Sequence, residues 1–170
     1  MTDSKRTDSR RVALIFGGRS GEHEVSIVSA RSVDRALDRN KYEVVPMAID
    51  HRGLWADTDT SRRVLSESSD RADEVAHFEG CHRLDPLLLD SVFDVAFPVL
   101  HGPYGEDGAI QGLFEMLNLP YVGCDAASSA LCMDKIFCKR LLSQAGLPTP
   151  AWVELDRTSW VEDLSLIHIS

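Results

Sequence analysis

Short apolar runs alternate with stretches of helical periodicity over the first 123 residues of the chain. The runs at 12–16, 42–49 and 91–100 predict strands, and the first is apolar throughout, as in a strand covered on both faces of a parallel sheet. Apolar spacing of three and four residues predicts helices at 25–37 and 109–119. The predicted inward stripes are Val25, Val28, Val33, Ala36 and Leu37 on the first helix, and Ile110, Leu113, Phe114 and Leu117 on the second. This alternation is typical of an α/β fold built on a parallel sheet.

Several further segments complete the predicted organisation. Residues 50–85 are polar, lack a sustained period and are interpreted as an insertion whose elements stay unplaced, while 86–89 resemble the end of a helix. Pro46 indicates that the second strand lies at an edge or carries a bulge. Residues 121–123 predict a short strand, and 130–145 predict one longer helix that ends at Gly146, a common capping residue.

The predicted domains are a disordered tail over 1–10, an α/β domain over 11–123 and the truncated start of a second domain over 124–163. The last residues, 164–170, read LSLIHIS, which looks like the translation of a sequencing-library adapter. We therefore expect the natural protein to continue past about residue 163 with a different sequence.

Composition argues against several classes of function. A net charge of −9 with scattered basic residues argues against a surface that binds nucleic acid without sequence preference. No apolar stretch approaches the roughly 20 residues that cross a bilayer, and the N-terminus lacks the apolar segment of a signal peptide. We therefore expect a cytoplasmic protein with no membrane partner. The four cysteines show no metal-ligand spacing and are expected to be free thiols, mostly in the core.

The stretch GGRSGEHEVS (17–26) places three glycines and a cluster of ionisable side chains directly after the first strand. Open α/β sheets bind ligands at this edge, where glycine loops leave backbone N–H groups facing the crevice. Spacing alone leaves two interpretations open for Glu22 and Glu24. They are first-turn acids that favour the helix dipole, or carboxylates that bind an ammonium group or orient a hydroxyl. The glycine spacing is not GxGxxG, which disfavours a dinucleotide cofactor.

The stretch HGPYGEDGAIQG (101–112) follows the third predicted strand and contains four glycines. Glu106 and Asp107 are expected to cap the helix that follows. His101 is a candidate donor to an anion, because it stands between a buried strand and a glycine loop and its imidazole titrates near neutral pH. A buried histidine with a structural role is the alternative.

These two stretches, followed by SALCMDKIFCKRLL (129–142), resemble the D-alanine–D-alanine ligases in order and approximate spacing. The resemblance covers roughly 10–155 apart from 50–85, where longer members of the family carry an insertion. It implies a Rossmann-like, pre-ATP-grasp N-terminal domain followed by the truncated start of an ATP-grasp central domain. It also implies ATP-dependent ligation of two D-alanines through an acyl phosphate, for peptidoglycan synthesis. ATP and Mg²⁺ (or Mn²⁺) would be bound mainly by the missing domains, and full-length members are usually homodimers.

By position in these motifs, the resemblance implies roles for particular residues. Glu22 matches the catalytic glutamate that anchors the ammonium of the first D-alanine and a serine–tyrosine pair. His101 matches the histidine near the substrate carboxylate, and Lys135 matches a lysine that reaches the phosphates of ATP. The other implied substrate contacts are Gly102, Val25 and Ser26. An ammonium needs a carboxylate partner and a reacting carboxylate needs donors, so these roles agree with the side-chain chemistry.

The family's serine and tyrosine partners, its metal ligands and its lid have no counterpart in this sequence. We therefore expect the chain as written to be inactive. The alternatives are a D-Ala–D-Lac or D-Ala–D-Ser ligase of the same family, and a non-catalytic α/β domain that binds a small ligand. A nicotinamide-dependent oxidoreductase is disfavoured, because the first strand lacks the nucleotide glycine signature.

Overall fold

A computed structural model describes residues 9–66, 81–83, 89 and 92–154. The strands are β1 (Arg10–Gly17), β2 (Tyr42–Ile49) and β3 (Val95–Pro98). The helices are α1 (His23–Ala36), α2 (Thr58–Ser66), α3 (Ala109–Met116), α4 (Ala126–Met133) and α5 (Lys135–Gln144). The chain forms two compact units that divide between Met133 and Asp134. The domain boundary predicted at 123 lies earlier in the chain and stays a prediction.

The sheet is parallel and has the strand order β2-β1-β3. Val12 of β1 pairs with Val44 on one side and Val95 on the other, so β1 is the central strand. This arrangement confirms the predicted parallel α/β fold. In the described part of the sheet β2 is an edge strand, as Pro46 indicates, since proline is tolerated there. The short strand predicted at 121–123 is reduced to a single parallel bridge between Tyr121 and Ala96.

Helices cover both faces of β1, which explains why every residue from Val12 to Phe16 is buried. On one face Ala13 and Ile15 pack in a cluster with Trp55 and with Phe114 of α3. On the other face Leu14 and Phe16 pack in a cluster whose other members come mainly from α1, α2 and the strand ends: Ile27, Ala30, Ala48, Ala56, Val64 and Val99. The apolar stripe predicted for α3 is confirmed, because all four of its residues join the first cluster.

The stripe predicted for α1 is confirmed at Val33, which packs against the second cluster, and is wrong at Val25 and Val28. Val25 and Val28 are 55% and 52% exposed, while the buried residues of this helix are His23, Ser26, Ile27 and Ala30. Polar side chains can take inward positions here because they bond to strand ends and loops, as Ser26 does. Apolar periodicity cannot detect a buried face that is partly polar.

The helix predicted over 130–145 is two helices, α4 and α5, that meet at Asp134. The Asp134 carboxylate accepts hydrogen bonds from Ile136 N (3.0 Å) and Phe137 N (3.1 Å), which makes it an N-cap that starts a new helix. The predicted end is confirmed, because Gly146 has φ +71° and follows the last turn of α5.

The polar insertion contains one element among its described residues, α2, which the sequence left unplaced. Asp57 accepts a hydrogen bond from Thr60 N (2.7 Å), and α2 buries Thr60, Ser61 and Val64. The predictions for 1–8, most of the insertion beyond 66, the helix end at 86–88 and the residues from 155 onward lie outside the described residues.

The cysteines are free, as expected, but none of them lies in the core. Cys124 and Cys132 are exposed, and Cys81 and Cys138 are half-buried. Cys81 packs against the second core cluster without being fully buried. No helix in the described ranges has the length and apolar character needed to cross a bilayer.

Candidate functional site

The loop after β1 turns sharply because glycine occupies both of its first positions. Gly17 and Gly18 have φ of +89° and +97°. A Cβ on Gly17 would lie 2.3 Å from the carbonyl oxygen of Ile49, so only glycine fits where β1 ends beside β2. The Gly18 N–H donates to that same oxygen at 2.8 Å. The turn lifts the chain above the carboxyl ends of the strands and leads it to Glu22.

Glu22 occupies the N-cap position of α1, yet its side chain makes no capping hydrogen bond. Shorter acceptors such as Ser or Asp are preferred for capping, so the glutamate here is not explained by a capping hydrogen bond. Its Oε2 atom instead points towards Gly102, where an added Cβ would lie 3.1 Å from it. The Glu22 carboxylate therefore lies beside the loop that follows β3.

The loop after β3 holds His101 and Gly102 close to α1. His101 Nε2 lies 3.3 Å from the hydroxyl oxygen of Ser29 on α1. Gly102 has φ +68°, and its N–H donates to Glu106 Oε2 at 2.7 Å. Because Gly102 directly follows His101, the structure brings Glu22, His101 and Gly102 together at the carboxyl edge of the sheet.

The two acids of this loop differ in what they bind. Asp107 accepts from the N–H of Ala109, the first residue of α3, at 3.0 Å, which confirms its expected capping role. It also accepts from Tyr104 N at 2.8 Å. The same expectation for Glu106 is wrong, because its carboxylate closes its own loop through Gly102. A five-residue loop with a glycine at each bend gives that carboxylate a nearer donor than the helix.

His23 joins the loop after β1 to the end of β2. It is 1% exposed, its Nδ1 lies 2.8 Å from the Gly18 carbonyl oxygen, and its ring stacks on His51 with centroids 4.0 Å apart. Burial lowers the pKa of His23, with a further lowering by His51 that the Gly18 bond and the carboxylates of Glu24 and Asp50 oppose. A neutral His23 therefore supports the turn from which Glu22 extends.

The carboxylates of Glu24 and Asp50 both have bonding partners close to His23 and His51. Glu24 Oε1 lies 3.3 Å from His51 Nε2. Asp50 is fully buried and accepts hydrogen bonds from Arg52 Nε and from the N–H groups of Arg52 and Leu54. Burial raises the pKa of Asp50, but these hydrogen bonds outweigh it and leave the pKa below its usual value. Of the two glutamates that the sequence left ambiguous, only Glu22 points to the edge of the β3 loop.

Val25 and Ser26, the other implied contacts on α1, lie on different faces of the helix. Val25 is exposed, one turn from Ser29 and the His101 loop. Ser26 is fully buried, accepts from Gly17 N at 2.8 Å and donates to the carbonyl oxygen of Val99. The Ser26 hydroxyl therefore joins the ends of β1 and β3, and Ser26 is not among the substrate contacts proposed below.

Lys135 is the first residue of α5 and belongs to the second compact unit. It is exposed, and Asp134 beside it is occupied with capping the helix. Among the described residues, no group of three or more His, Cys, Asp or Glu side chains is suited to hold a metal ion. This part of the chain therefore offers one candidate phosphate ligand and no magnesium ligand set.

Comparison with known proteins assigns the family. The model of the D-ala D-ala ligase N-terminus matches residues 11–124. The chain belongs to the D-alanine–D-alanine ligase family. A relative named D-alanine–D-alanine ligase from Thermoanaerobacter sp. (strain X514) is 40% identical over 94% of this chain and 46% of its own length. One of the same name from Mycobacterium ulcerans is 44% identical over 85% of the chain and 43% of its own length. The chain thus spans about half the length of the curated relatives it matches.

Solved structures of ligases from this family share the fold. The VanG D-Ala:D-Ser ligase from Enterococcus faecalis superposes with a TM-score of 0.71 at 35% identity, over 94% of this chain and 48% of its own. The D-alanine–D-alanine ligase from Coxiella burnetii gives 0.71 at 34% identity, over 95% and 49%. An ATP complex of the ligase from Bacillus anthracis gives 0.61 at 33% identity, over 89% and 42%.

Sequence reasoning missed the residues that hold the site in place. His51 stacks on His23 from beyond β2, and Ser20 packs against Gly102, where an added Cβ would lie 3.2 Å from the Ser20 Cβ. His51 carries no sequence signal beyond its position directly after a strand. Ser20 had one, because a serine within a glycine turn often bonds to the backbone two residues on, as it does here to Glu22 N (3.2 Å).

Proposed function

We propose that this chain forms the part of an ATP-dependent ligase that binds the first of two D-alanines, which are joined to D-alanyl-D-alanine for peptidoglycan synthesis. One observation carries the proposal. The Glu22 carboxylate makes no cap to α1 and lies beside Gly102, next to His101, at the carboxyl edge of a parallel sheet. Family membership supplies the reaction type, and this geometry supplies a place for a small zwitterion.

The proposed roles follow from the charges of the two groups. The Glu22 carboxylate binds the substrate ammonium as a charge-assisted hydrogen bond, and the His101 imidazole donates to the substrate carboxylate. The positive end of the α1 dipole lies at the same point and also favours the carboxylate. Gly102 keeps the space between the two groups free, and Val25 provides an apolar wall for the methyl group.

The rest of the reaction depends on residues that this chain does not contain. ATP transfers its terminal phosphoryl group to the carboxylate of the first D-alanine, which gives an acyl phosphate and releases ADP. The amine of the second D-alanine attacks the acyl carbon, forms the peptide bond and releases phosphate. Lys135 is proposed to contact the ATP phosphates as a flexible point charge. We propose that magnesium, a homodimer partner and the second substrate are bound by the half of the family fold beyond this chain, and that the protein works in the cytoplasm.

A titration of the 170-residue chain with D-alanine tests the substrate site. Two-dimensional amide NMR is expected to show saturable shifts at the loops of Glu22 and His101. N-acetyl-D-alanine, which lacks the ammonium, and D-alaninol, which lacks the carboxylate, are each expected to bind about tenfold or more weakly, because each loses one charge-assisted contact. L-Alanine tests whether the wall at Val25 selects the D-enantiomer.

The matched variants are Glu22→Gln and Glu24→Gln, two neighbouring carboxylates in one turn. Only Glu22→Gln is expected to weaken D-alanine binding, since Glu24 is engaged with His51. Equal losses in both variants, or binding that does not require the ammonium, would contradict the proposed role of Glu22.

Catalysis is tested by ADP release in the presence of D-alanine. The 170-residue chain is expected to release none above background, because it lacks a magnesium ligand set among its described residues. A ligase of this family that spans the full length of the curated relatives is the positive control and is expected to release ADP. Product analysis with D-alanine, D-lactate and D-serine then identifies the second substrate; we propose D-alanine, for which the curated relatives are named.

A further inference from the structure

A cavity of about 230 Å³ lies on the face of the sheet that α3 covers, opposite α1. Its inner wall is formed by Trp55, Ile110, Leu113 and Leu100, and its rim by Arg19, His101 and Tyr104. Neither Glu22 nor Val25 lines it. The cavity is therefore distinct from the space between Glu22 and Val25 proposed for D-alanine, although His101 borders both.

The inner wall and the rim of the cavity differ in polarity and charge. The inner wall is apolar and includes a buried indole, whereas the rim carries the Arg19 guanidinium and the His101 imidazole. None of the described residues that line the cavity is an aspartate or a glutamate. An apolar cavity with cationic groups only at its mouth complements a ligand that has an apolar body and one negative charge.

Arg19 is held at the rim from two sides. Its guanidinium carbon lies 4.6 Å from the centre of the Tyr104 ring. Its aliphatic part crosses Gly53, where an added Cβ would lie 2.7 Å from Arg19 Cδ. Among the described residues Arg19 forms no ion pair, so its charge is available to a ligand.

Tyr104 adopts a backbone conformation that is rare for a residue with a side chain. Its φ is +67°, and its N–H is held by the Asp107 carboxylate at 2.8 Å. Such conformations cost free energy and persist where the surroundings enforce them. Here the conformation places the ring under Arg19, which orients the guanidinium before a ligand arrives.

We propose that this cavity binds a small aromatic carboxylate, with one ring between Trp55 and Ile110 and the carboxylate at Arg19. An apolar cavity of roughly 150 Å³ accommodates benzene. The larger volume here leaves room for a ring that bears a carboxyl group. The inference does not depend on the ligation reaction, and its test uses neither D-alanine nor ATP.

Benzoate is the probe, and the intrinsic fluorescence of Trp55 is the readout. The chain has three tryptophans, so Trp152→Phe and Trp160→Phe together leave Trp55 as the only one. Benzoate is expected to change this fluorescence in a saturable way. Benzamide, which has nearly the same shape without the charge, is expected to bind about tenfold more weakly, as is benzylamine, whose charge is opposite.

Two variants locate the site. Arg19→Gln is expected to weaken benzoate binding about tenfold and to leave benzamide binding unchanged. The control is Arg62→Gln, at an exposed arginine of α2, which is expected to leave the binding of both compounds unchanged. Ala109→Phe, at an exposed residue of the lining, is expected to fill the cavity and abolish binding. Circular dichroism checks that each variant is folded.

Three results would each overturn the proposal. These are the absence of saturable binding, benzoate and benzamide affinities that are equal, and benzoate binding that survives both Arg19→Gln and Ala109→Phe. Loss of binding in Arg19→Gln and in Ala109→Phe, with Arg62→Gln unaffected, supports it.

Discussion

Replacement of Ser26 by alanine is expected to destabilise the first compact unit without weakening D-alanine binding. The hydroxyl accepts from Gly17 N at 2.8 Å and donates to the Val99 carbonyl, and Ser26 is fully buried. Its removal leaves a backbone donor and a backbone acceptor without partners, at about 1–3 kcal/mol each. Alanine favours the helix over serine by about 0.5 kcal/mol, which offsets part of the loss. The net expected loss in the free energy of unfolding is therefore about 1.5–5.5 kcal/mol.

Urea unfolding followed by far-UV circular dichroism measures this change. The matched control is Ser32→Ala on the same helix, where the hydroxyl is exposed and bonds only to the Val28 carbonyl of its own helix (3.2 Å). This control is expected to change the free energy of unfolding by less than about 0.5 kcal/mol in either direction, because water replaces the lost bond and alanine is the better helix former.

A second measurement separates a structural role of Ser26 from contact with substrate. If the hydroxyl joins β1 to β3, D-alanine affinity of Ser26→Ala, measured where the variant is folded, stays within about twofold of the parent. A variant as stable as Ser32→Ala that binds D-alanine poorly would refute the reasoning, and would restore the substrate contact inferred from sequence.

Three further predictions concern the same region. Gly102→Ala is expected to lower the free energy of unfolding by about 1–2 kcal/mol, because alanine must adopt φ +68°. It is also expected to weaken D-alanine binding, because the new Cβ lies against the Glu22 carboxylate. Urea unfolding measures the first effect and NMR titration the second. Burial lowers the pKa of His23 in the folded state, so the unfolded chain binds the proton more tightly. The free energy of unfolding is therefore expected to fall as the pH drops below about 6.5. Urea titrations between pH 7 and pH 5 measure this fall, which is expected to be smaller in His23→Gln. Burial and the hydrogen bond to Glu115 raise the pKa of Tyr121 to about 12, so Tyr121 is expected to stay un-ionised at pH 11. Absorbance at 295 nm measures this, by difference from Tyr121→Phe, and Glu115→Gln is expected to lower that pKa.

The sheet and its helices could be predicted where burial is governed by apolar side chains alone. β1 is apolar on both faces because α1 and α3 cover both, and the apolar stripe of α3 is complete. The prediction was wrong at Val25 and Val28 of α1, whose buried face includes His23 and Ser26. Ser26 bonds to the backbone of Gly17 and Val99, and His23 bonds through Nδ1 to the Gly18 carbonyl. Apolar periodicity does not detect such polar partners.

Local capping chemistry explains the other differences from the predicted elements. Apolar spacing runs without interruption across Asp134, so it predicted one helix where the structure has α4 and α5. The signal was present in the side chain itself, since aspartate is among the preferred N-caps and its carboxylate accepts from the N–H groups of Ile136 and Phe137. The start of α2 after Asp57 follows the same rule. In both segments the aspartate predicts where the helix begins, which apolar periodicity alone does not.

The candidate site was predictable in its location and not in its geometry. Two glycine loops after parallel strands must meet at one edge of the sheet, which brings the turn of Glu22 near His101. Spacing could not distinguish Glu22 from Glu24, since both lie within the first turn of a helix and both suit its dipole. The distinction arises from tertiary contacts: His51 lies against Glu24, whereas the bare backbone of Gly102 leaves room for the Glu22 carboxylate. The Glu22 carboxylate thus makes no cap and lies at the carboxyl edge of the sheet, and its proposed substrate contact rests on that position.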